Sequence, residues 1–352
     1  MGDIMKIAVD KNSYQTATND GNEYIYLYED EDLKDLMKTK LQCIEYTECE
    51  EVDINLTDYN IPCKKRCKPE GNWKWVSEYK KSYKIGIIIP NYNYVHTIQK
   101  CISSILNQTY KNYEIIFVDD CSTDNSVKLV ETIKQCEIDD HNEDKIKIVQ
   151  LKQKRLNGGA RNEGYLHLSD DVDYIYYIDS DDWLYDNTVL EKINNSLQSE
   201  PDVLFVGLAS YKRGKTEIVD IPEYKNKYEA IKGWSGSCGK VIKKELATRQ
   251  ECLYNEGTLK EDRNQHRKIC IYMNSFQILK EPCYVWNQEN YKSVTTIRGE
   301  NPLWKTSTIR QYADTYELYL KEKGKDPKID DILLEAAIMC KKEMERDGDK
   351  QY

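Results

Sequence analysis

Three acidic residues follow an apolar segment near the middle of the chain. Tyr174–Ile178 contains only Tyr and Ile, which favour a buried β-strand. Asp179, Asp181 and Asp182 come directly after it, around the small Ser180. Carboxylates at the C-terminal end of a strand are suited to holding a hard divalent cation, with phosphate oxygens as further ligands. Because Asp also favours turns and helix caps, these residues alone leave a metal site and an acidic turn equally open.

A second acidic pair, Asp119 and Asp120, follows the apolar segment Tyr113–Val118. Two further segments have the composition of strands, Lys84–Ile89 and Ile146–Leu151. Segments with helical spacing separate the strands, namely His96–Leu106, Ser126–Cys136 and Gly159–Leu168. This alternation predicts an α/β domain with a doubly wound, mainly parallel sheet. Ligands bind beyond the C-terminal strand ends of such sheets, and both acidic groups fall there.

Composition limits the classes of protein that fit. The chain has 352 residues, enough for one large α/β domain with a smaller piece, and its net charge is −10. That charge argues against broad binding of duplex DNA, which needs a basic surface. Met1–Asp10 lacks the apolar core of a signal sequence, and apolar runs such as Ile85–Pro90 are too short to span a membrane. We therefore expect a soluble, cytoplasmic protein, with a peripheral position at the inner membrane face as the alternative.

Residues 1–80 have a different pattern. Glu23–Tyr28 alternates like a short strand and Asp32–Leu41 has helical spacing, which predicts a small appended α/β unit. Four of the twelve cysteines cluster in this region: Cys43, Cys49, Cys63 and Cys67. Their spacing does not match a pair of Cys-x-x-Cys motifs, which favours four ordinary thiols over a zinc site.

The pattern loosens after about residue 200. Val203–Leu208 is a predicted strand, and we expect a helix to begin near Lys240. A mainly helical tail follows from about Pro302, in which Ile329–Met344 is amphipathic. We expect its apolar stripe to pack on the domain, with membrane or partner docking as the alternative.

Several short motifs occur in an order that resembles the family-2 glycosyltransferases. They are Ile87–Asn93, Ser103–Thr109, Val118–Asp124, Asn157–Asn162 with Gly164, and Asp179–Asp182. The resemblance covers about residues 84–300. It implies the GT-A fold, a nucleotide-diphosphate sugar donor, a divalent cation and inversion at the anomeric carbon. We accordingly expect an N-terminal extension of residues 1–80, a GT-A domain of residues 84–300 and a helical tail of residues 301–352.

The resemblance places the donor nucleotide, a UDP or similar nucleotide, against eight residues. They are Pro90, Tyr92, Asp120, Asn157, Gly158, Arg161, Asp179 and Ser180. Tyr92 offers an aromatic face to the nucleobase, or else is an aromatic residue at the edge of the core. The Asp120 carboxylate accepts a hydrogen bond from a base N–H, while Asp119 has a structural role. The alternative for both acids is a helix cap before Ser126.

A loop is expected at Asn157–Gly159, where the backbone approaches the ligand closely. Arg161 follows this loop, and its guanidinium can bind two phosphate or ribose oxygens. The alternative for Arg161 is an ion pair with Asp119 or with the acids of Asp179–Asp182, and the two roles are compatible before substrate binds.

The resemblance also divides the acidic residues by role. Asp179 contacts the ribose or the metal shell, and Asp181, supported by Asp182, holds Mn²⁺ or Mg²⁺. The downstream pair Glu261 and Asp262 matches the family's acidic pair. Asp262 is the expected base that takes the proton from the acceptor hydroxyl, and Glu261 either positions it or acts as the base in its place.

Other residues near these motifs have less specific expectations. His266 lies on the helical face of Asp262 and is expected to be a polar surface residue. Trp234 and Trp286 either shape an acceptor pocket or pack in the core. A closing loop is expected at Tyr291, Lys292, Ser293 and Thr295, where the Lys stands in place of the family's frequent Arg.

Two rival functions are weighed against a glycosyltransferase. A nucleotidyltransferase would carry a Gly-rich, basic loop after its first strand, where this chain has Pro90–Asn93. An inactive nucleotide- or glycan-binding module would have lost the acidic cluster or the base, and this chain has both. The expected partners are therefore a nucleotide-sugar donor and a hydroxyl-bearing acceptor such as a glycan; the sugar and the acceptor are left open.

Overall fold

The computed structural model describes residues 81–141, 144–290 and 303–349, and four strands nearer the N-terminus. The chain divides into two units, Met1–Ser82 and Tyr83–Tyr352. In the first unit, β1 (Lys6–Val9) pairs in parallel with β2 (Glu23–Tyr26), and β3 (Tyr46–Glu50) pairs antiparallel with β4 (Lys68–Trp75). β2 confirms the strand that was predicted within residues 23–28. The predicted helix of residues 32–41 and three of the cysteines that bear on a zinc site, Cys43, Cys63 and Cys67, lie outside the described residues, and Cys49 is described only as a backbone position of β3.

The second unit alternates strands and helices, as the sequence predicts. Its strands are β5 (Ile85–Asn91), β6 (Tyr113–Asp119), β7 (Ile146–Gln150), β8 (Tyr174–Tyr177), β9 (Trp183–Leu184), β10 (Val203–Lys212), β11 (Lys215–Asp220), β12 (Lys240–Lys243) and β13 (Phe276–Asn287). Its helices are α1 (Ile98–Leu106), α2 (Ser126–His141), α3 (Leu156–Tyr165), α4 (Val189–Ser196), α5 (Lys227–Lys232), α6 (Lys244–Ala247), α7 (Glu261–Tyr272), α8 (Leu303–Glu322) and α9 (Pro327–Asp349).

Within the described ranges, one nine-stranded sheet organises this unit. The strand order is β7-β6-β5-β8-β12-β10-β13-β9, and β11 pairs with β10 off this path. β7, β6, β5 and β8 are mutually parallel, whereas β12 is antiparallel to both of its neighbours. The expected parallel α/β sheet is therefore confirmed for its first half, and the second half is mixed.

Side chains on both faces of the sheet are buried. Ile87 and Ile89 belong to one apolar cluster, and Ile88 and Ile116 belong to the other. Successive residues of a strand point to opposite faces, so a strand that is apolar at every position must be covered on both sides. Every residue of β5 is buried, which is the reason why Ile87, Ile88 and Ile89 follow one another without an alternating polar residue.

The prediction of a helix near Lys240 is wrong, because Lys240–Lys243 is strand β12 and only the short α6 follows it. Val241 pairs with Tyr176 of β8 on one side and with Leu204 of β10 on the other. This central position in the sheet overrides the helical propensity of a Lys-rich segment.

The helical tail is confirmed, and its apolar stripe packs on the unit. Ile329 and Leu333 of α9 are buried in the same cluster as Ile269 of α7. No helix in the part of the chain that the structure describes has the length and apolar character needed to cross a bilayer.

Candidate active site

The parallel strands β6, β5 and β8 end at one edge of the sheet, and a cavity of about 390 Å³ lies there. Nine of the residues predicted for the site line it: Pro90, Asn157, Arg161, Asp179, Ser180, Asp181, Asp182, Glu261 and Asp262. Tyr92, Asp120 and Gly158 are not part of its wall. The topology explains the convergence, since the C-terminal ends of adjacent parallel strands meet at the same edge.

Asp120 is buried and accepts two backbone hydrogen bonds. Its oxygens lie 2.6 Å from the amide nitrogen of Arg155 and 2.8 Å from that of Leu156, at the start of α3. The cap before Ser126, which was weighed for Asp120, is made by Asp124 instead, at 2.9 Å from the Ser126 nitrogen. Asp120 therefore fixes the beginning of α3, and each of its oxygens keeps a second lone pair for a base N–H.

Asp119 and Tyr92 lie beside this position. Asp119 accepts hydrogen bonds of 2.9 Å from the Asn91 side chain and from the Ser122 amide, which is a structural role within the strand-end loop. The Tyr92 ring is covered by Lys154, whose Nζ lies 3.0 Å from the ring centroid. One face of this ring is thus already occupied by a cation.

The expected loop at residues 157–159 is wrong, because these residues form the first turn of α3. The Asp120 carboxylate binds the amide groups that precede them, so the helix begins earlier than the glycines suggest. A Cβ on Gly158 would lie 2.9 Å from the Asn255 carbonyl oxygen, and one on Gly159 would lie 2.3 Å from the Arg155 Cβ. Close packing of α3 is the physical reason for both glycines.

Arg161 is buried and connects two parts of the site. Its guanidinium lies 2.6 Å from Asp179 and 2.6 Å from Glu261. Of the ion pairs that were weighed for Arg161, the structure therefore shows the one with the acids after β8, and not the one with Asp119. Burial raises the pKa of Glu261 to about 6, although the adjacent guanidinium favours its charged form.

The acids after β8 have different partners. Asp182 is buried and accepts hydrogen bonds from the Tyr284 hydroxyl at 2.6 Å and from the Asn287 amide at 2.7 Å. The Oδ2 atom of Asp181 accepts one from the Asn290 side chain at 2.7 Å. Burial, reinforced by repulsion from the neighbouring Asp179, raises the pKa of Asp181 to about 6. Asp179 is paired with Arg161, whereas no Lys or Arg side chain among the described residues forms an ion pair with Asp181 or Asp182.

The donor set fits a divalent cation that is shared with a substrate. No three His, Cys, Asp or Glu side chains form a ready-made metal cluster among the described residues. Within the same residues, the Oδ1 atom of Asp181 makes no hydrogen bond, and the residue lines two neighbouring cavities. Mg²⁺ and Mn²⁺ are commonly held by one or two carboxylates together with substrate phosphates, which matches such an incomplete site.

Glu261 and Asp262 begin α7 but lie in different environments. Glu261 is buried against Arg161, whereas Asp262 is only partly buried and faces the cavity. The Asp262 Oδ1 atom accepts a hydrogen bond of 2.8 Å from the Arg263 amide. Of the two carboxylates, Asp262 is the more exposed at the cavity.

The expectation of a surface position for His266 is wrong. The ring is about 1% exposed, and Nε2 lies 2.9 Å from the Ala230 carbonyl oxygen. Burial holds the pKa of His266 well below its usual value, so the ring is neutral and Nε2–H donates this bond. His266 joins α7 to α5 and is not a ligand of the cavity.

The segment that follows α5 forms another wall of the cavity. Trp234 and Trp286 both line the cavity, and their ring centroids lie 6.1 Å apart. Trp286 also packs against the apolar core, so both expected roles apply to it, whereas Trp234 is 37% exposed and only its place in the cavity wall is seen among the described residues. The expected closing loop, Tyr291, Lys292, Ser293 and Thr295, lies outside the described residues.

Lys240 is a site-forming residue that the sequence reasoning did not identify. It is fully buried, and its Nζ donates to the carbonyl oxygens of Gly236 at 2.6 Å and Ser235 at 3.3 Å. Both carbonyls belong to the cavity wall. The sequence feature that could have indicated a buried Lys240 is its position directly before the apolar Val241 and Ile242, because a lysine is unusual in a central strand.

Lys240 should make stability depend on pH in the alkaline range. Burial lowers the pKa of Lys240 to about 8, from 10.5. Between these values the unfolded chain binds the proton and the folded protein does not, so this group makes stability rise with pH. Relative to Lys240→Met, the free energy of unfolding of the natural protein should gain about 3 kcal/mol between pH 8 and 10.5. Urea titrations of both proteins measure this gain; an equal pH dependence of the two would contradict it.

The comparisons with known proteins agree with this geometry. The model of the family described as glycosyl transferase family 2 matches residues 86–255. Glycosyltransferase GlyA of Streptococcus pneumoniae is 37% identical over 114 residues, which are 31% of this chain and 15% of GlyA. The UDP-Glc:alpha-D-GlcNAc-diphosphoundecaprenol beta-1,3-glucosyltransferase WfgD of Escherichia coli is 33% identical over 139 residues, 39% of this chain and 47% of WfgD. The chain thus spans less than half the length of these curated relatives.

Similarity to a solved structure extends the comparison to the fold. The crystal structure of residues 1–349 of Staphylococcus aureus TarS in complex with UDP-GlcNAc matches with a TM-score of 0.54 and 19% identity. The match covers 66% of each chain, and at this identity it establishes the fold alone. The fold, the order of the motifs and the family match agree: residues 86–255 match glycosyl transferase family 2, and the second unit of the chain has the GT-A fold.

Proposed function

We propose that the protein is a metal-dependent, inverting glycosyltransferase that moves a sugar from a UDP-sugar to a hydroxyl group of an acceptor, such as a glycan. The observation that carries the proposal is the single cavity in which Asp181, Arg161 and Asp262 meet. The name of the relative WfgD, which uses UDP-Glc, supports a UDP-linked donor. Residues 84–300 would form the catalytic domain, residues 1–80 an appended unit and residues 301–352 a helical tail.

The donor would lie across the strand ends. Its nucleoside faces the Asp120 side and its diphosphate faces Asp181, whose unpaired oxygen can share a cation with phosphate. The cation, when bound, supplies positive charge that stabilises the departing nucleoside diphosphate. Both oxygens of Asp182 accept hydrogen bonds, from Tyr284 and Asn287. Asp182 would therefore support the cation site by holding the segment after β8 in place rather than by binding the cation directly.

Arg161 would organise the two halves of the site. Because both ends of its guanidinium bind carboxylates, it holds Asp179 on the donor side and Glu261 at the start of α7. The distance between donor and base is thereby set by one rigid, buried group. Positioning of this kind contributes to catalysis because it avoids reorganisation of the reacting groups during the reaction.

Asp262 would act as the general base. It takes the proton from the acceptor hydroxyl as that oxygen forms a bond to the anomeric carbon. The bond between this carbon and the phosphate oxygen breaks on the opposite side, so the configuration inverts. Trp234 and Trp286 offer apolar faces on which a sugar ring can stack.

A panel of nucleotide sugars tests the proposal. With Mn²⁺ present, the purified protein should slowly hydrolyse one donor of the panel, measured as released nucleoside diphosphate. EDTA should abolish the release, and added Mn²⁺ should restore it. If no donor binds or reacts with metal present, the proposed function is wrong.

Asp181→Asn should raise the Mn²⁺ concentration for half-maximal release at least about tenfold, because it removes a carboxylate ligand. Asp182→Asn should instead lower the free energy of unfolding by about 1–3 kcal/mol, because an amide replaces a buried acceptor of two hydrogen bonds. Asp144→Asn is the matched control, because Asp144 is an exposed aspartate that does not line the cavity. An unchanged Mn²⁺ requirement in Asp181→Asn would remove Asp181 as the ligand.

A further inference from the structure

A second cavity adjoins the active site. It is a groove of about 870 Å³ formed by α5, the segment after it, α7 and α9. Ser235 and Arg263 line both this groove and the active-site cavity. A molecule that occupies the groove can therefore extend to Asp262.

The groove is basic, although the chain as a whole carries a net charge of −10. Five cations line it: Lys232, Arg263, Arg267, Lys342 and Arg346. The carboxylates in its wall are Glu335, 3.2 Å from Lys232, and Glu343, 3.4 Å from Arg263. Glu343 is shared, since Lys260 also binds it at 2.8 Å. Positive charge that these acids do not neutralise favours an anionic ligand.

Arg267 is the central cation of the groove. Its Nη1 atom donates to the neutral oxygens of Asn264 at 3.1 Å and Thr315 at 3.2 Å. In the described part of the chain, no carboxylate lies within ion-pair distance of Arg267. Burial lowers the pKa of Arg267, as expected for a guanidinium that is withdrawn from water without a counter-ion. The fork of donors on a guanidinium matches the oxygens of a phosphate.

The position of Arg267 relates the groove to the reaction. Asp262, Arg263 and Arg267 are on α7, and positions 263 and 267 are separated by about 6 Å along the helix axis, or about one turn. We propose that the groove binds a phosphate group of the acceptor, held by Arg267 with Arg263 and Lys342, while a hydroxyl of the same acceptor lies at Asp262. This inference rests on the proposed glycosyltransferase function and adds the chemical class of its acceptor. A phosphate has several charged oxygens and can engage these cations together.

Binding of soluble probes to the full chain tests the inference. The probes are a trimer of glycerol phosphate, farnesyl diphosphate and, as the neutral probe, maltotriose, titrated by calorimetry in the presence of saturating UDP and Mn²⁺. Arg267→Gln and Lys342→Gln should each weaken binding of a phosphate probe about tenfold, the loss typical of a charge-assisted hydrogen bond. Lys341→Gln is the matched control, because Lys341 is the neighbouring exposed lysine of α9 and does not line the groove.

The outcomes separate the sources of phosphate and the two proposals. Binding of the trimer alone indicates a phosphodiester polymer, and binding of farnesyl diphosphate alone indicates a lipid-linked diphosphate; either result supports the inference. Binding of neither, equally tight binding of maltotriose, or unchanged affinity in both variants overturns it. Lys342→Gln keeps the test decisive if Arg267→Gln does not fold, since Lys342 is exposed. The affinity for UDP, measured in the same experiments, should be equal in all variants. If the natural protein does not bind UDP, that result contradicts the proposed function rather than this inference.

Discussion

Asp262→Asn is expected to retain nucleotide-sugar binding and to lose sugar transfer. An amide cannot take the proton of the attacking hydroxyl, so turnover should fall about 10²- to 10⁴-fold, the usual contribution of a general base. The proposed arrangement places Asp262 on the acceptor side, and its hydrogen bond is to the Arg263 amide, so the donor affinity should change little. Calorimetric titration with the donor and release of nucleoside diphosphate with Mn²⁺ measure the two quantities separately.

Two further variants distinguish loss of the base from a general effect of removing a carboxylate. Asp331→Asn changes an exposed acid of α9 and should leave both measurements unaltered. Glu261→Gln should act on stability more than on proton transfer, since Glu261 is buried against Arg161. Turnover that is unchanged in Asp262→Asn would exclude this residue as the base.

Arg161→Met is expected to cost about 3–5 kcal/mol of folding free energy, because it leaves Asp179 and Glu261 without their shared cation. The loss should be smaller at pH 5 than at pH 8. Without the guanidinium, the folded-state pKa of Glu261 rises, the folded variant binds more protons, and its stability recovers as the pH falls. Urea denaturation at the two pH values measures both effects.

Arg249→Met provides the comparison, since Arg249 is exposed and its ion pair with Glu251 has a distance of 3.8 Å. Surface pairs contribute about 0–1 kcal/mol, so this change should have little effect at either pH. A loss below about 1 kcal/mol in Arg161→Met would show that Arg161 does not hold the site together. Arg161→Lys, which keeps the charge but not the fork, should be intermediate.

The residues expected to bind the nucleobase already have partners within the protein. Asp120 has both oxygens on backbone amides of α3, and Lys154 covers a face of Tyr92. A nucleobase that used both residues as the resemblance implies would share the Asp120 carboxylate with these amides and displace Lys154 or bind the opposite face of the ring. Both contacts are local, so neither requires the sheet to change.

The apolar segments of the sequence were sufficient to predict the parallel first half of the sheet and the acidic residues at its edge. The segments Ile85–Ile89, Ile115–Val118 and Tyr174–Ile178 contain no charged residue, and a strand buried on both faces requires such a run. Because parallel strands end together, the residues after them had to converge. The order of the motifs was sufficient to predict the similarity to family-2 glycosyltransferases that the family model also finds.

Contacts between distant parts of the chain decided the rest. Arg161 and Glu261 are 100 residues apart, and Asp182 and Tyr284 are 102 residues apart, so no local pattern reports these pairs. Lys240 became part of a strand, and His266 became buried, through their neighbours in the sheet and in α5. The sequence by itself determined the fold of the catalytic edge and the residues available there, because apolar periodicity is local. Only the tertiary structure decided that Glu261 is paired with Arg161, that Asp262 is partly exposed at the cavity, and that a basic groove adjoins this cavity, because those properties depend on burial and on charges that folding brings together.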